Sequence, residues 1–127
     1  MNNDKRIEVL VVEDDKALCY ALREKLGGEG FTVSTAKDGE EGLKTAIEEK
    51  PDIILLDLIM PKMNGIEMLM NLREDDWGKT VPVLVLSNDD DPEHINETLK
   101  RNASDYLIKS DWELEDVTQK IMEILKL

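Results

Sequence analysis

The chain has 127 residues, 41% of them hydrophobic and 35% charged, with a formal net charge of −13. A chain of that length forms one domain and buries roughly two-thirds of its unfolded surface. The acidic balance speaks against nucleic acid or an anionic membrane surface as a partner, because both select for basic patches. No apolar run approaches the ~18 residues that a membrane span requires.

The first residues, Met1-Asn2-Asn3-Asp4-Lys5-Arg6, are polar and hold no signal-peptide core, so a cytoplasmic location is the expectation. The single Cys19 excludes an internal disulfide and a cysteine-built metal site. Beside Leu18 and Leu22 in a helical pattern, it is expected to pack as a small hydrophobe.

In chain order, a strand is predicted at Glu8–Val12, then a helix over 16–27 with Leu18, Leu22 and Leu26 at i, i+4, i+8. Gly27-Gly28-Glu29-Gly30 stops that helix. A short strand over 31–35 follows, and Asp38 opens a helix that sets Leu43, Ala46 and Ile47 on one face. Pro51-Asp52 breaks it before the strand 53–56, whose residues are all apolar. Such a strand is buried on both faces and belongs at the centre of a parallel sheet.

Pro61 and Gly65 bracket a loop, after which Ile66, Leu69 and Met70 begin a third helix. Pro82 leads into a second wholly apolar strand, 83–86. The next helix, 92–102, carries only Ile95 and Leu99 as large apolar residues. A last strand at Asp105–Ile108 precedes a final helix with Leu114, Val117, Ile121 and Leu125 in register. Trp77 and Trp112 fall at helix–loop junctions, where they are expected to cover the edge of the core.

Five βα units with short connections predict an α/β fold: a doubly wound, five-stranded parallel sheet between two helical layers, with right-handed crossovers. The flavodoxin-like order 2-1-3-4-5 suits five strands. Nothing follows the last helix, so a single domain, 1–127, with no output domain is expected.

Four of the apolar runs end in a polar group that phosphoryl chemistry needs. Leu10-Val11-Val12 runs into Glu13-Asp14-Asp15, Ile53-Ile54-Leu55-Leu56 into Asp57, Val83-Leu84-Val85-Leu86 into Ser87, and Tyr106-Leu107-Ile108 into Lys109. As parallel neighbours, these runs would deliver all four groups to the carboxyl edge of the sheet, where open α/β sheets bind ligands. Converging carboxylates repel one another, and a cation relieves them. An all-oxygen, histidine-free set suits Mg²⁺. Glu13 and Asp14 at the strand end are the candidate ligands, whereas Asp15 reads as a cap of the first helix. Asp57 is a candidate nucleophile able to form an aspartyl-phosphate. Lys109 could neutralise phosphoryl charge, and Ser87 could donate to a phosphoryl oxygen. Met60 and Met63 are expected to flank the mouth of the site.

Together, Val11-Val12-Glu13-Asp14-Asp15, Leu55-Leu56-Asp57-Leu58-Ile59-Met60-Pro61-Lys62-Met63-Asn64-Gly65, Leu86-Ser87 and Tyr106-Leu107-Ile108-Lys109 closely resemble the receiver domain of bacterial response regulators. The resemblance covers essentially the whole chain and implies a stand-alone, chemotaxis-type regulator of a two-component phosphorelay. It implies that Asp57 accepts a phosphoryl group from a phosphohistidine on a sensor kinase or phosphotransfer protein. Glu13, Asp14, Asp57 and the backbone carbonyl of Ile59 would then hold Mg²⁺, and Ser87 and Lys109 would contact the phosphoryl group. Tyr106 and Ser87 would form the switch. Such a protein catalyses only its own phosphorylation and dephosphorylation, signals through an unidentified downstream protein, and is a monomer or weak homodimer.

One departure stands out. Receiver domains usually have a proline after this lysine, joined by a cis bond, and here Ser110 follows. A cis non-proline bond costs ~3–4 kcal/mol, so Lys109-Ser110 is predicted trans with a rearranged loop. Other readings are a phosphorylation-free adaptor, a Mg²⁺-dependent phosphatase with an aspartate nucleophile, and a flavin binder. The phosphatase would need a second aspartate where Ile59 stands, and the flavin binder a phosphate-cradling loop where Glu13-Asp14-Asp15 stands.

Overall fold

The structure is a computed structural model that describes residues 6–58, 60, 62–88, 91–101 and 103–127, the side chain of Ser110 excepted. The elements alternate as predicted: β1 (Glu8–Val12), α1 (Lys16–Gly28), β2 (Thr32–Ala36), α2 (Gly39–Glu49), β3 (Ile53–Asp57), α3 (Gly65–Glu74), β4 (Val83–Ser87), α4 (Pro92–Lys100), β5 (Asp105–Ile108) and α5 (Leu114–Leu125). The five strands form one parallel sheet in the order β2-β1-β3-β4-β5. Every residue of β3 and β4 is buried, as their unbroken apolar sequence requires.

Side-chain alternation divides the core between the two faces of the sheet. Leu10, Val12, Ile54, Leu56, Val83 and Val85 meet Ala46 of α2 and Met68, Leu69 and Leu72 of α3. Val9, Val11, Ile53, Leu55, Leu84 and Leu86 meet Leu22 and Leu26 of α1 and Val117 and Ile121 of α5. Trp77 lies against the first group and Trp112 against the second. Cys19 is half-buried against the second group, in the packing role expected of it.

Polar side chains set where the helices begin. Asp15 Oδ1 accepts from the amides of Ala17 and Leu18 at the start of α1, which confirms it as a cap. Asp38 accepts from Glu41 N at the start of α2. Asn64 and Glu67 form a reciprocal capping box on α3.

Two apolar residues depart from their predicted surroundings. Ile47 and Met70 are 37% and 43% exposed, although their spacing placed them with core residues. In α2 the buried face consists of Gly39, Gly42 and Ala46. Small residues let this helix approach β1 so closely that a methyl group on Gly42 would lie 2.8 Å from Val12 Cγ1. Large side chains on α2 are thereby turned aside. Met60 is buried in the cluster shared with α2 and α3, and Met63 is half-buried against it. Among the described residues, no helix is long and apolar enough to cross a membrane.

Candidate functional site

The β1–β3 pairing aligns Val12 with Leu56, so Glu13 and Asp57 emerge side by side at the carboxyl edge. Glu13, Asp14 and Asp57 each offer a carboxylate oxygen within 4.8 Å of the others. Glu13 and Asp57 are only 3% and 5% exposed, whereas Asp14 faces solvent. Lys109 reaches in from the end of β5, its Nζ 2.8 Å from Glu13 Oε1 and 3.2 Å from Asp57 Oδ2. The sequence readings thus converge: four groups from three strand ends share one rim.

The electrostatics follow from burial. Desolvation raises the pKa of Glu13 from 4.5 to about 7, aided by the nearby charge of Asp57 and opposed by Lys109 and the Asp15 amide. Desolvation by itself would lower Lys109. The two carboxylates outweigh it and hold the ammonium above its ordinary value. This ion-pair cluster partly compensates itself and stays electron-rich. Three carboxylate oxygens with no histidine are a donor set for a hard cation such as Mg²⁺, and a divalent ion would relieve the strain on Glu13. The residues present fit that ion.

Ser87 is the last residue of β4, wholly buried, one position beyond the pairing of Leu86 with Asp57. Tyr106 pairs with Val85 across the β4–β5 ladder and is half-buried against the α2–α3 side of the core. The structure therefore places Ser87 at the same sheet edge as Asp57, and Tyr106 within the sheet. Ile59, whose carbonyl was expected among the metal ligands, lies outside the described residues. Past Lys109 the chain winds into a 3₁₀ turn, Lys109–Asp111, and no described peptide bond is cis. The trans prediction holds, and Lys109 still reaches Asp57.

Sequence reasoning missed one contact: it gave Lys109 a partner in a phosphoryl group, whereas the structure shows it already paired with both Glu13 and Asp57. The signal was available, since a cation ending a strand at a carboxylate-rich edge needs no ligand to find a partner. Beside the cluster, Glu13, Asp14, Lys16, Tyr20, Arg23 and Lys62 contribute to an open cleft of about 700 Å³.

The sequence matches the response regulator receiver domain over residues 9–122. The chain belongs to this family. Receiver domains are the signalling modules of response regulators. Among solved structures, this receiver domain resembles the chemotaxis protein CheY4 of Vibrio cholerae, with a TM-score of 0.87 and 28% identity over 94% of this chain and 98% of that one. The Francisella response regulator 1452 receiver domain gives 0.88 and 30%, covering 95% and 98%. A CheY of Borrelia burgdorferi, solved in complex with CheX, BeF3 and Mg²⁺, gives 0.87 and 30%, covering 94% and 89%. The response regulator MprA of Mycobacterium ulcerans is 35% identical over 94% of this chain and 50% of its own length. The receiver domain described here thus spans about half the length of the curated relatives it matches.

Proposed function

We propose that Asp57 is the phosphoacceptor, that Glu13 and Asp14 hold Mg²⁺ together with it, and that Lys109 and Ser87 contact the transferred phosphoryl group. The observation that carries this reading is the convergence of Glu13, Asp14, Asp57 and the Lys109 ammonium on one rim. The donor is a phosphohistidine of a histidine kinase or phosphotransfer protein, the partner class that response regulator relatives support. CheX in the Borrelia complex is that protein's partner, and it illustrates the kind of protein contact a receiver domain makes.

Transfer forms a bond from an Asp57 carboxylate oxygen to phosphorus and breaks the bond from phosphorus to the imidazole nitrogen, which leaves with the bonding pair. Such transfers depend on in-line positioning and charge neutralisation. Rigid burial at the end of β3 positions Asp57. Bound Mg²⁺ would neutralise phosphoryl oxygen charge and hold the group against the acidic rim. Lys109 exchanges part of its contact with Glu13 and Asp57 for a phosphoryl oxygen, and Ser87 donates its hydroxyl to another. The cleft beside Asp14 gives the ion and the donor a way in. Tyr106 and α4 then respond, since the acyl phosphate replaces a carboxylate of charge −1 with a group of charge about −2 and redraws hydrogen bonding at the β4 edge.

Intact mass after incubation with acetyl phosphate and Mg²⁺ tests this reading. The expected result is a gain of one phosphoryl group that is lost in Asp57→Asn and without Mg²⁺. A gain that persists in Asp57→Asn would overturn the assignment, and no gain at all would favour the adaptor.

A further inference from the structure

Between Asp57 and α3 the chain must turn at the edge that carries the acidic rim, and its position there is set partly from outside the rim. The amide of Gly39, the first residue of α2, donates to the carbonyl of Met63 at 3.0 Å. The neighbouring Asp38 carboxylate is nearly fully buried and lies 3.9 Å from the Lys62 ammonium. At the far end of the turn, Gly65 N donates to Leu58 O at 2.9 Å. The start of α2 therefore grips the β3–α3 turn at two successive residues, Lys62 and Met63.

Two further features show that the grip is tight. A methyl group on Gly39 would overlap the Met63 carbonyl oxygen and stand 2.9 Å from its carbonyl carbon, both of them backbone atoms that cannot rotate away. Lys62 is held at φ 62°, a left-handed conformation that a lysine adopts when its surroundings over-determine it. The contact with Asp38 and the Gly39–Met63 hydrogen bond both fall at this left-handed residue and its neighbour. Neither Asp38 nor Gly39 is among the carboxylates that share the rim.

We infer that Asp38 and Gly39 are positioning residues for the cation site: the N-terminus of α2 clamps the turn that follows Asp57 and so presets the rim for Mg²⁺. This inference rests on the acidic rim being the Mg²⁺ site. It assigns a role in metal affinity to a helix start that carries no ligand. The geometry accounts for glycine at position 39, since alanine there would push the turn away from α2. It also accounts for a buried aspartate at 38 beyond its capping duty, because the same carboxylate holds Glu41 N and faces Lys62.

The experiment is a Mg²⁺ titration of the full chain followed by amide NMR, for wild type, Gly39→Ala, Asp38→Asn and Gly78→Ala. Gly78 is the control for crowding: a methyl group there would overlap the Leu72 carbonyl oxygen just as tightly, but in the connection between α3 and β4. Gly39→Ala is expected to weaken Mg²⁺ about tenfold, the range seen when groups that orient metal ligands are lost. Asn still caps α2, so Asp38→Asn removes only the charge facing Lys62, and about a twofold weakening is expected. Gly78→Ala is expected to lower thermal stability and leave Mg²⁺ affinity at the wild-type value, since it touches only packing. Wild-type affinity in folded Gly39→Ala, or an equal loss in Gly78→Ala, would overturn the clamp. Should Gly39→Ala fail to fold, unchanged affinity in Asp38→Asn would overturn it. Wild-type protein that binds no Mg²⁺ would remove the site itself and the clamp with it.

Discussion

The centre of the sheet and its β5 edge are built to different standards. In β3 and β4 every residue is buried, and Leu55, Leu56, Leu84 and Val85 are at most 1% exposed. In β5 all four residues are only partly buried, and α4 buries just Thr98 among its described residues. Local stability follows buried apolar contact, so the centre opens only with global unfolding while α4 and β5 open at lower free energy. The acids that would react stand on the rigid part, and the elements proposed to report the reaction form the loose part. The proposed phosphoryl site thus stands on the fully buried strands, beside elements that bury far less apolar surface.

The contrast predicts unequal responses to the same truncation. Leu56→Ala is expected to cost about 2–5 kcal/mol, as for other fully buried leucines. Leu99→Ala, on the half-exposed side of α4, is expected to cost under about 1 kcal/mol. Denaturant melts measure both, and comparable losses would erase the distinction. At the junction of the two regions, Lys109→Met removes the ammonium that reaches from the end of β5 to Asp57, and phosphoryl uptake is expected to slow about a hundredfold, the range for removing one charge-stabilising donor. A time course of intact mass with acetyl phosphate measures it. An unchanged rate would show that Lys109 only balances resting charge.

A smaller effect comes from Glu13. Its folded pKa of about 7 lies above the ordinary 4.5, so the folded state holds this proton more tightly than the unfolded chain. Its contribution to stability is full at pH 4.5 and below, declines as pH rises to about 7, and is flat above. Mg²⁺ binds the deprotonated carboxylate, so its affinity should rise over the same interval and level off. Thermal melts with and without Mg²⁺ should diverge as pH climbs towards 7, and Glu13→Gln should remove that pH dependence. A constant gap across the interval would contradict the burial argument.

Much of this was legible in the chain itself, for reasons that also explain what was not. Unbroken apolar runs mark β3 and β4 because parallel central strands bury both faces, and the polar residue ending each run marks the carboxyl edge. Asp15 was recognisable as a cap because it stands just before the first periodic residue. Ile47 was misplaced because hydrophobic periodicity gives glycine no weight, and the face α2 buries is Gly39, Gly42 and Ala46. The pairing of Asp38 with Lys62 was hidden for a different reason: it joins residues far apart in sequence, and only the sheet order brings α2 against the β3–α3 turn. The resting contact of Lys109 with Glu13 is of the same kind, spanning the strand ends of β1 and β5.

The most direct test of a rigid reacting centre coupled to a yielding edge is amide hydrogen exchange with and without beryllofluoride and Mg²⁺, which stand in for the phosphoryl group. The account predicts altered protection in α4 and β5, with the amides of β1 and β3 unchanged in their slow exchange. Unaltered exchange in α4 and β5, or equal changes across β1 and β3, would contradict it.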